Sequence, residues 1–132
     1  MTWPIDEKKL QRVRDLMAQQ DLDALVVRAP DNIVYLTNYW CMKGYDIAIF
    51  PREGQPTLIT IEPQEEDAHR NSWTRDVRLF RGYDDRDPRP PGFRSLDLGL
   101  GVLKERNLNG RVGLELSQGT QGADRMVGEP TT

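Results

Sequence analysis

Between Asp6 and Gln20 the apolar residues Leu10, Val13, Leu16 and Met17 recur at helical spacing with charged residues between them, and Asp6 stands before them as an amino-terminal cap. The pattern predicts an amphipathic helix. A short apolar run, Ala24 to Val27, stops before Pro30 and predicts a strand. Asp31 is placed to cap a brief helix that carries Ile33, Leu36 and Tyr39 on one side. Two more apolar segments, Ile47 to Phe50 and Thr57 to Ile61, flank a turn containing Pro and Gly, which predicts a hairpin. "QEEDAHRN" is polar and helix-compatible, and "DVRLF" alternates as a strand does.

In "SLDLGLGVLKERN" two periods compete. Leu96, Leu100 and Leu103 fall at helical spacing, while Leu96, Leu98, Leu100 and Val102 alternate, and Gly99 and Gly101 each cost a helix about 1 kcal/mol relative to Ala. A helix is favoured, because a turn at Asn109 and Gly110 then leads into a strand from Arg111 to Glu115, and the helix completes a crossover between strands. The order of elements implies a mixed sheet with helices on both faces. "RGYDDRDPRPPGFR" reads as a long polar, Pro-rich surface loop. The end, "SQGTQGADRMVGEPTT", has only Met126 and Val127 to bury and reads as a tail or as a truncated continuation.

Composition narrows the partners. At 132 residues and 37% apolar, the chain suits one domain with one core. Its net charge of -3 comes from 21 acids and 18 bases mixed along the chain, so no basic stripe exists to track nucleic acid or an anionic membrane. No apolar run approaches the roughly 20 residues of a bilayer span. A single Cys and an amino terminus without an apolar signal core fit a reducing, cytoplasmic setting.

Candidate chemistry is sparse. His69, the one histidine, lies beside Glu65, Glu66 and Asp67, where the alternatives are a metal ligand paired with Glu65 and a solvated helix face; the second is favoured, since transition-metal sites draw on several His or Cys ligands. No Gly-x-Ser-x-Gly elbow occurs to support a hydrolytic triad. Cys41 reads as a small buried residue beside the aromatics, although Lys43 would lower its pKa if the two side chains met. "GLG" lacks the third Gly of a dinucleotide fingerprint, and Asp84, Asp85 and Asp87 lack the Gly and terminal Glu of a calcium loop. The 132 residues carry no self-sufficient catalytic constellation.

The helix "LQRVRDLMAQQDLDALVV" followed by "APDNIVYLTNY" resembles the amino-terminal domain of the creatinase, prolidase and aminopeptidase P family. That family carries Gly-Leu-Asp-Ala-Leu after its first helix and Asn-Ile-x-Tyr-Leu-Thr-Gly-Tyr after the next strand. The hairpin "DIAIFPREGQPTLIT", then "DVRLF" and "RVGLEL", follow in the family's order, so the resemblance covers roughly Leu10 to Leu116. Asp21 and Asn38 stand where the family has Gly, and both tolerate a left-handed backbone.

The resemblance implies a three-layer α/β/α domain with a mixed sheet of ribonuclease-H-like topology. It implies a core of about residues 5–116 in a single domain, with 117–132 as tail or continuation. In the family such a domain does no chemistry. Catalysis belongs to a carboxyl-terminal pita-bread domain, where two Asp, one His and two Glu hold two divalent metal ions in the peptidases, manganese, cobalt or zinc, while creatinase works without metal. No cofactor is expected in this chain, and its implied partners are that catalytic domain and a second copy in a homodimer. The family's loop after Tyr-Leu-Thr borders the partner subunit's active site; here that loop is "WCMKGYD", which makes Trp40, Lys43 and Tyr45 the candidates for a substrate entrance in trans. A Lys meets a carboxylate and aromatics wall an apolar ring. The bland alternative places Tyr35 and Tyr39 in the core, Trp40 in an interface and Lys43 in solvent. Two further readings remain: a free-standing, non-enzymatic α/β binding or assembly module, and a small metal-dependent hydrolase using His69 and its acidic neighbours.

Overall fold

The computed structural model describes residues 3–41 and 45–115. Helix α1, Glu7–Gln19, starts at the cap read from the sequence: Asp6 Oδ1 accepts the Lys9 backbone N–H at 3.0 Å. Leu10 and Met17 are buried and Val13 packs beside them, whereas Leu16 is 60% exposed, because six residues after Leu10 places it about 240° around the helix. Asp21 then turns the chain at φ 54°, and the Leu22 N–H closes onto Met17 O at 2.8 Å.

Strand β1, Ala24–Val27, leads into helix α2, Pro30–Thr37. The cap position is Ala29, which has no side-chain acceptor, so Asp31 lies inside the first turn and is not the cap. The carboxylate comes from 86 positions further along: Glu115 Oε2 accepts the backbone N–H groups of Arg28 at 2.6 Å and Ala29 at 2.9 Å, while its Oε1 accepts from the Asn32 amide. A negative group at this positive helix end also favours the helix dipole.

Strands β2, Ile47–Pro51, and β3, Thr57–Ile61, form the expected hairpin, with Ala48 opposite Leu58. After a 3₁₀ turn, helix α3, Glu65–Asn71, and strand β4, Asp76–Phe80, follow. Helix α4, Pro91–Glu105, resolves the ambiguous leucine segment, and strand β5, Val112–Leu114, is shorter than the predicted one. The sheet order is β4-β3-β2-β1-β5, antiparallel within β1, β2 and β3 and parallel at both edges. Since β4 and β5 occupy opposite edges, α4 crosses the sheet instead of joining neighbouring strands.

Period two along the strands divides the core in two. Ala48, Phe50 and Leu58 face α1, α2 and α3; Ile47, Ile49, Ile59 and Phe80 face α4. The three-layer α/β/α expectation describes the molecule. Gly99 is buried over Ile47, Ile49 and Ile59, which explains one of the glycines that obscured the helix pattern.

The Pro-rich segment after β4 is a surface loop up to Pro90, as expected, but its last four residues, Pro91 to Arg94, form the first turn of α4. The Arg94 guanidinium donates to four of the loop's carbonyl oxygens, those of Arg81, Gly82, Asp87 and Arg89, at 2.8 to 3.0 Å. Asp84 and Asp87 accept backbone N–H groups two residues on, from Arg86 and Arg89. Arg89 donates to Asp87, which holds that carboxyl down at about 2.

Candidate functional site

Helix α2 ends where Asn38 adopts a left-handed conformation, φ 67°, and its N–H returns to Val34 O at 2.8 Å. The turn throws Tyr39 inward to 1% exposure and leaves Trp40 half exposed at 49%. Thr37 steadies the turn: its hydroxyl donates to Ile33 O at 2.7 Å and accepts the Tyr39 N–H at 3.2 Å. From α3's far side the Trp73 indole donates to Leu36 O at 2.9 Å. Cys41 is fully buried.

Of the three residues read as a substrate entrance, two are described. Trp40 borders a cleft with Asn38, Tyr39 and Gln64. Tyr45 is half-buried and packs against the α4-side core. Lys43 lies outside the described residues. Tyr35, expected against the sheet, instead faces outward at 47% exposure with the Lys9 ammonium 4.7 Å above its ring.

Beneath Trp40 lies a polar chain that the sequence reading missed. Asp46 is 1% exposed; its Oδ2 accepts the Thr60 hydroxyl at 2.7 Å, and its Oδ1 has no hydrogen-bond partner among the described residues. Thr60 Oγ1 is 3.1 Å from the Tyr39 hydroxyl, which also reaches Gln64 Oε1 at 3.3 Å. Burial pushes the Asp46 carboxyl up to about 6, although the Thr60 and Tyr39 hydroxyls pull it partly back. Burial likewise pushes the Tyr39 phenol upward, with the Asp46 charge adding to the effect.

Proton counting shows what this chain does. With Asp46 ionised, Thr60 donates to it and the single Tyr39 proton serves either Thr60 or Gln64. With Asp46 protonated, the chain runs one way, from Asp46 to Thr60 to Tyr39 to Gln64, and every proton has an acceptor. Perturbed carboxyls of this kind cluster at functional sites. The signal in the sequence was faint: an Asp before "IAIF" and a Thr in "TLITI", the latter an ordinary strand former.

His69 lies on the exposed side of α3 with its Nε2 4.0 Å from Glu65 Oε1. Among the described residues no group of three or more His, Cys, Asp or Glu side chains is placed to hold a metal ion. None of the described helices is long and apolar enough to cross a membrane.

Residues 9–125 match the family model described as the Creatinase/Prolidase N-terminal domain. The chain belongs to this family. An ectoine hydrolase from Halomonas elongata is 29% identical over 112 residues, which are 82% of this chain and 28% of that protein. The chain thus spans less than a third of the curated relative it matches. Among solved structures, the N-terminal domain of an Xaa-Pro dipeptidase from Lactobacillus brevis is 18% identical with a TM-score of 0.65, covering 90% of this chain and 83% of that one. An Xaa-Pro aminopeptidase from Streptococcus pyogenes is 20% identical with a TM-score of 0.63, covering 83% and 73%. These structures share the fold of the creatinase/prolidase N-terminal domain, and the relatives are named as hydrolases.

Proposed function

We propose that this chain is the non-catalytic amino-terminal domain of a larger hydrolase, an Xaa-Pro peptidase or a creatinase-like enzyme. It contributes dimer contacts and, through Trp40, Lys43 and Tyr45, part of the partner subunit's substrate entrance. The observation that carries this reading is the family match over residues 9–125 in a chain that spans only 28% of a hydrolase relative. Trp40, half exposed just beyond α2, supports the entrance role because a large, partly exposed aromatic suits an apolar or proline-like ring. Any pair of divalent metal ions, manganese, cobalt or zinc, belongs to the further domain; His69 and Glu65 alone do not make a donor set. When bound there, such ions would polarise the scissile carbonyl and supply hydroxide.

The natural reading frame past Thr132 tests the proposal. A second domain with the ordered Asp, Asp, His, Glu, Glu ligands is expected, and a stop codon there would refute it. The 132-residue chain by itself is expected to cleave no Xaa-Pro dipeptide, with or without manganese. The 29% identity to the ectoine hydrolase favours a second reading, a parent enzyme of that kind, and assaying the parent on ectoine beside an Xaa-Pro dipeptide separates the two.

A further inference from the structure

The cleft that Trp40 borders has a volume of about 410 Å³ and an unusual lining. Two tryptophans contribute to it, Trp3 at 56% and Trp40 at 49% exposure, and the buried Tyr39 supplies a third ring. Its one charged lining residue among those described is Asp67. Among the described residues no Lys or Arg lines it, and the remaining side chains, Asn38, Gln64 and Asn71, are amides. Arg70 stands 3.8 Å from the Asp67 Oδ1 and makes its closer contact with Glu66.

This combination has a preferred guest. Indole faces carry negative potential and attract a cation within about 6 Å, Trp being the strongest of the aromatic hosts. A single half-buried carboxylate adds charge attraction, and side-chain amide oxygens accept the N–H groups that a primary amine presents. An anion would meet the Asp67 carboxylate with no cation lining the cleft among the described residues, and a neutral apolar group would leave the carboxylate and the amides poorly solvated.

We propose that the Trp3, Trp40 and Asp67 cleft binds an organic ammonium group, carried by a small molecule or by the amino terminus of a peptide. The site stands in this single chain, so it holds whether or not the loop after α2 reaches a partner's active site.

The test uses indole N–H resonances of the 132-residue chain, titrated with tetramethylammonium and with glycinamide at constant ionic strength. Neopentyl alcohol and acetylglycinamide are the neutral counterparts. Trp73 serves as internal reference, since its indole N–H is held by Leu36 O at 2.9 Å. Saturable shifts of Trp3 and Trp40 are expected with at least one cation, and the preferred cation tells a methylated ammonium from a peptide-like amine. Asp67→Asn is expected to weaken binding about tenfold, and Trp40→Leu by a similar factor. Both cations failing to give a saturable shift would overturn the proposal. So would equal shifts from the neutral counterparts, or unchanged affinity in Asp67→Asn.

Discussion

Strand β3 carries two Thr–Asp pairs of the same chemistry, one near each end and one on each face of the sheet, and they behave in opposite ways. Thr57 donates to Asp76 Oδ2 at 2.6 Å on the α4 side, and Thr60 donates to Asp46 Oδ2 at 2.7 Å on the side of α1, α2 and α3. Asp76 has cations to meet it: Arg78 Nε lies 2.6 Å away, and Arg106 donates to Thr57 Oγ1 at 3.2 Å. Burial pushes the Asp76 carboxyl up, but the Arg78 and Thr57 hydrogen bonds and the two guanidinium charges together hold it below its ordinary value. Asp46 has no such partner among the described residues, and burial raises it. The first pair ties β3, β4 and α4 together, with Glu105 completing the Arg78 contacts. The second keeps a titratable group in the core at the end of the sheet where Trp40 and the cleft lie. The same hydroxyl–carboxylate bond is a strut where a cation balances it and a strained, proton-sensitive group where none does.

The contrast fixes the sign of each pH effect. A raised folded-state pKa means that the native state holds its proton longer than the unfolded chain. The contribution of Asp46 is thus fully present below 3.8 and is lost as pH rises through about 6. That shift corresponds to roughly 3 kcal/mol by neutral pH. Asp46→Asn is accordingly expected to make the largest change: urea unfolding of variant and wild type should show a stability difference that grows in the variant's favour by about 2 kcal/mol between pH 4 and pH 8. A difference that is flat with pH would break the comparison at its buried end.

Thr60→Val removes the hydroxyl between Asp46 and Tyr39 while keeping shape, and is expected to cost about 2 kcal/mol at pH 7.5 by the same measurement, because the carboxylate loses its donor. Asp76→Asn is expected to cost about 1 kcal/mol after allowance for solvent screening at this part-exposed pair. Its sign with pH is opposite: the contribution of Asp76 is present above its ordinary pKa and is lost as pH falls through the lowered folded value, so the cost should shrink in acid. Tyr39→Phe removes one end of the polar chain and is expected to cost about 0.5 kcal/mol, with a blue-shifted or red-shifted Trp40 emission reporting any change in the cleft wall.

Neither Thr–Asp pair of β3 was legible in the sequence. The hairpin, the Asp6 cap and the amphipathic face of α1 follow from period and turn chemistry, and the family resemblance drew most on Leu22 to Tyr39, while Asp21 and Asn38 do take the left-handed backbone that Gly would supply. Long-range polar contacts carry no period. Glu115 steadying α2 across the sheet, Arg94 gathering the carbonyls of the Pro-rich loop, and Asp46 meeting Thr60 all depend on which strands become neighbours. Tyr35 shows the same gap from the other side, since a helix edge can turn inward or outward and only the packing of α1 decides it. Trp40 was legible as a candidate; the carboxylate and second tryptophan that share its cleft come from segments 27 residues later and 37 earlier in the chain.

The most direct test of the asymmetry is a carbon-detected NMR titration that follows the side-chain carboxyls of Asp46 and Asp76 in one sample. The account predicts that Asp46 titrates near 6 and Asp76 below 3.8. Asp46 titrating in the ordinary carboxylate range, or alongside Asp76, would contradict it.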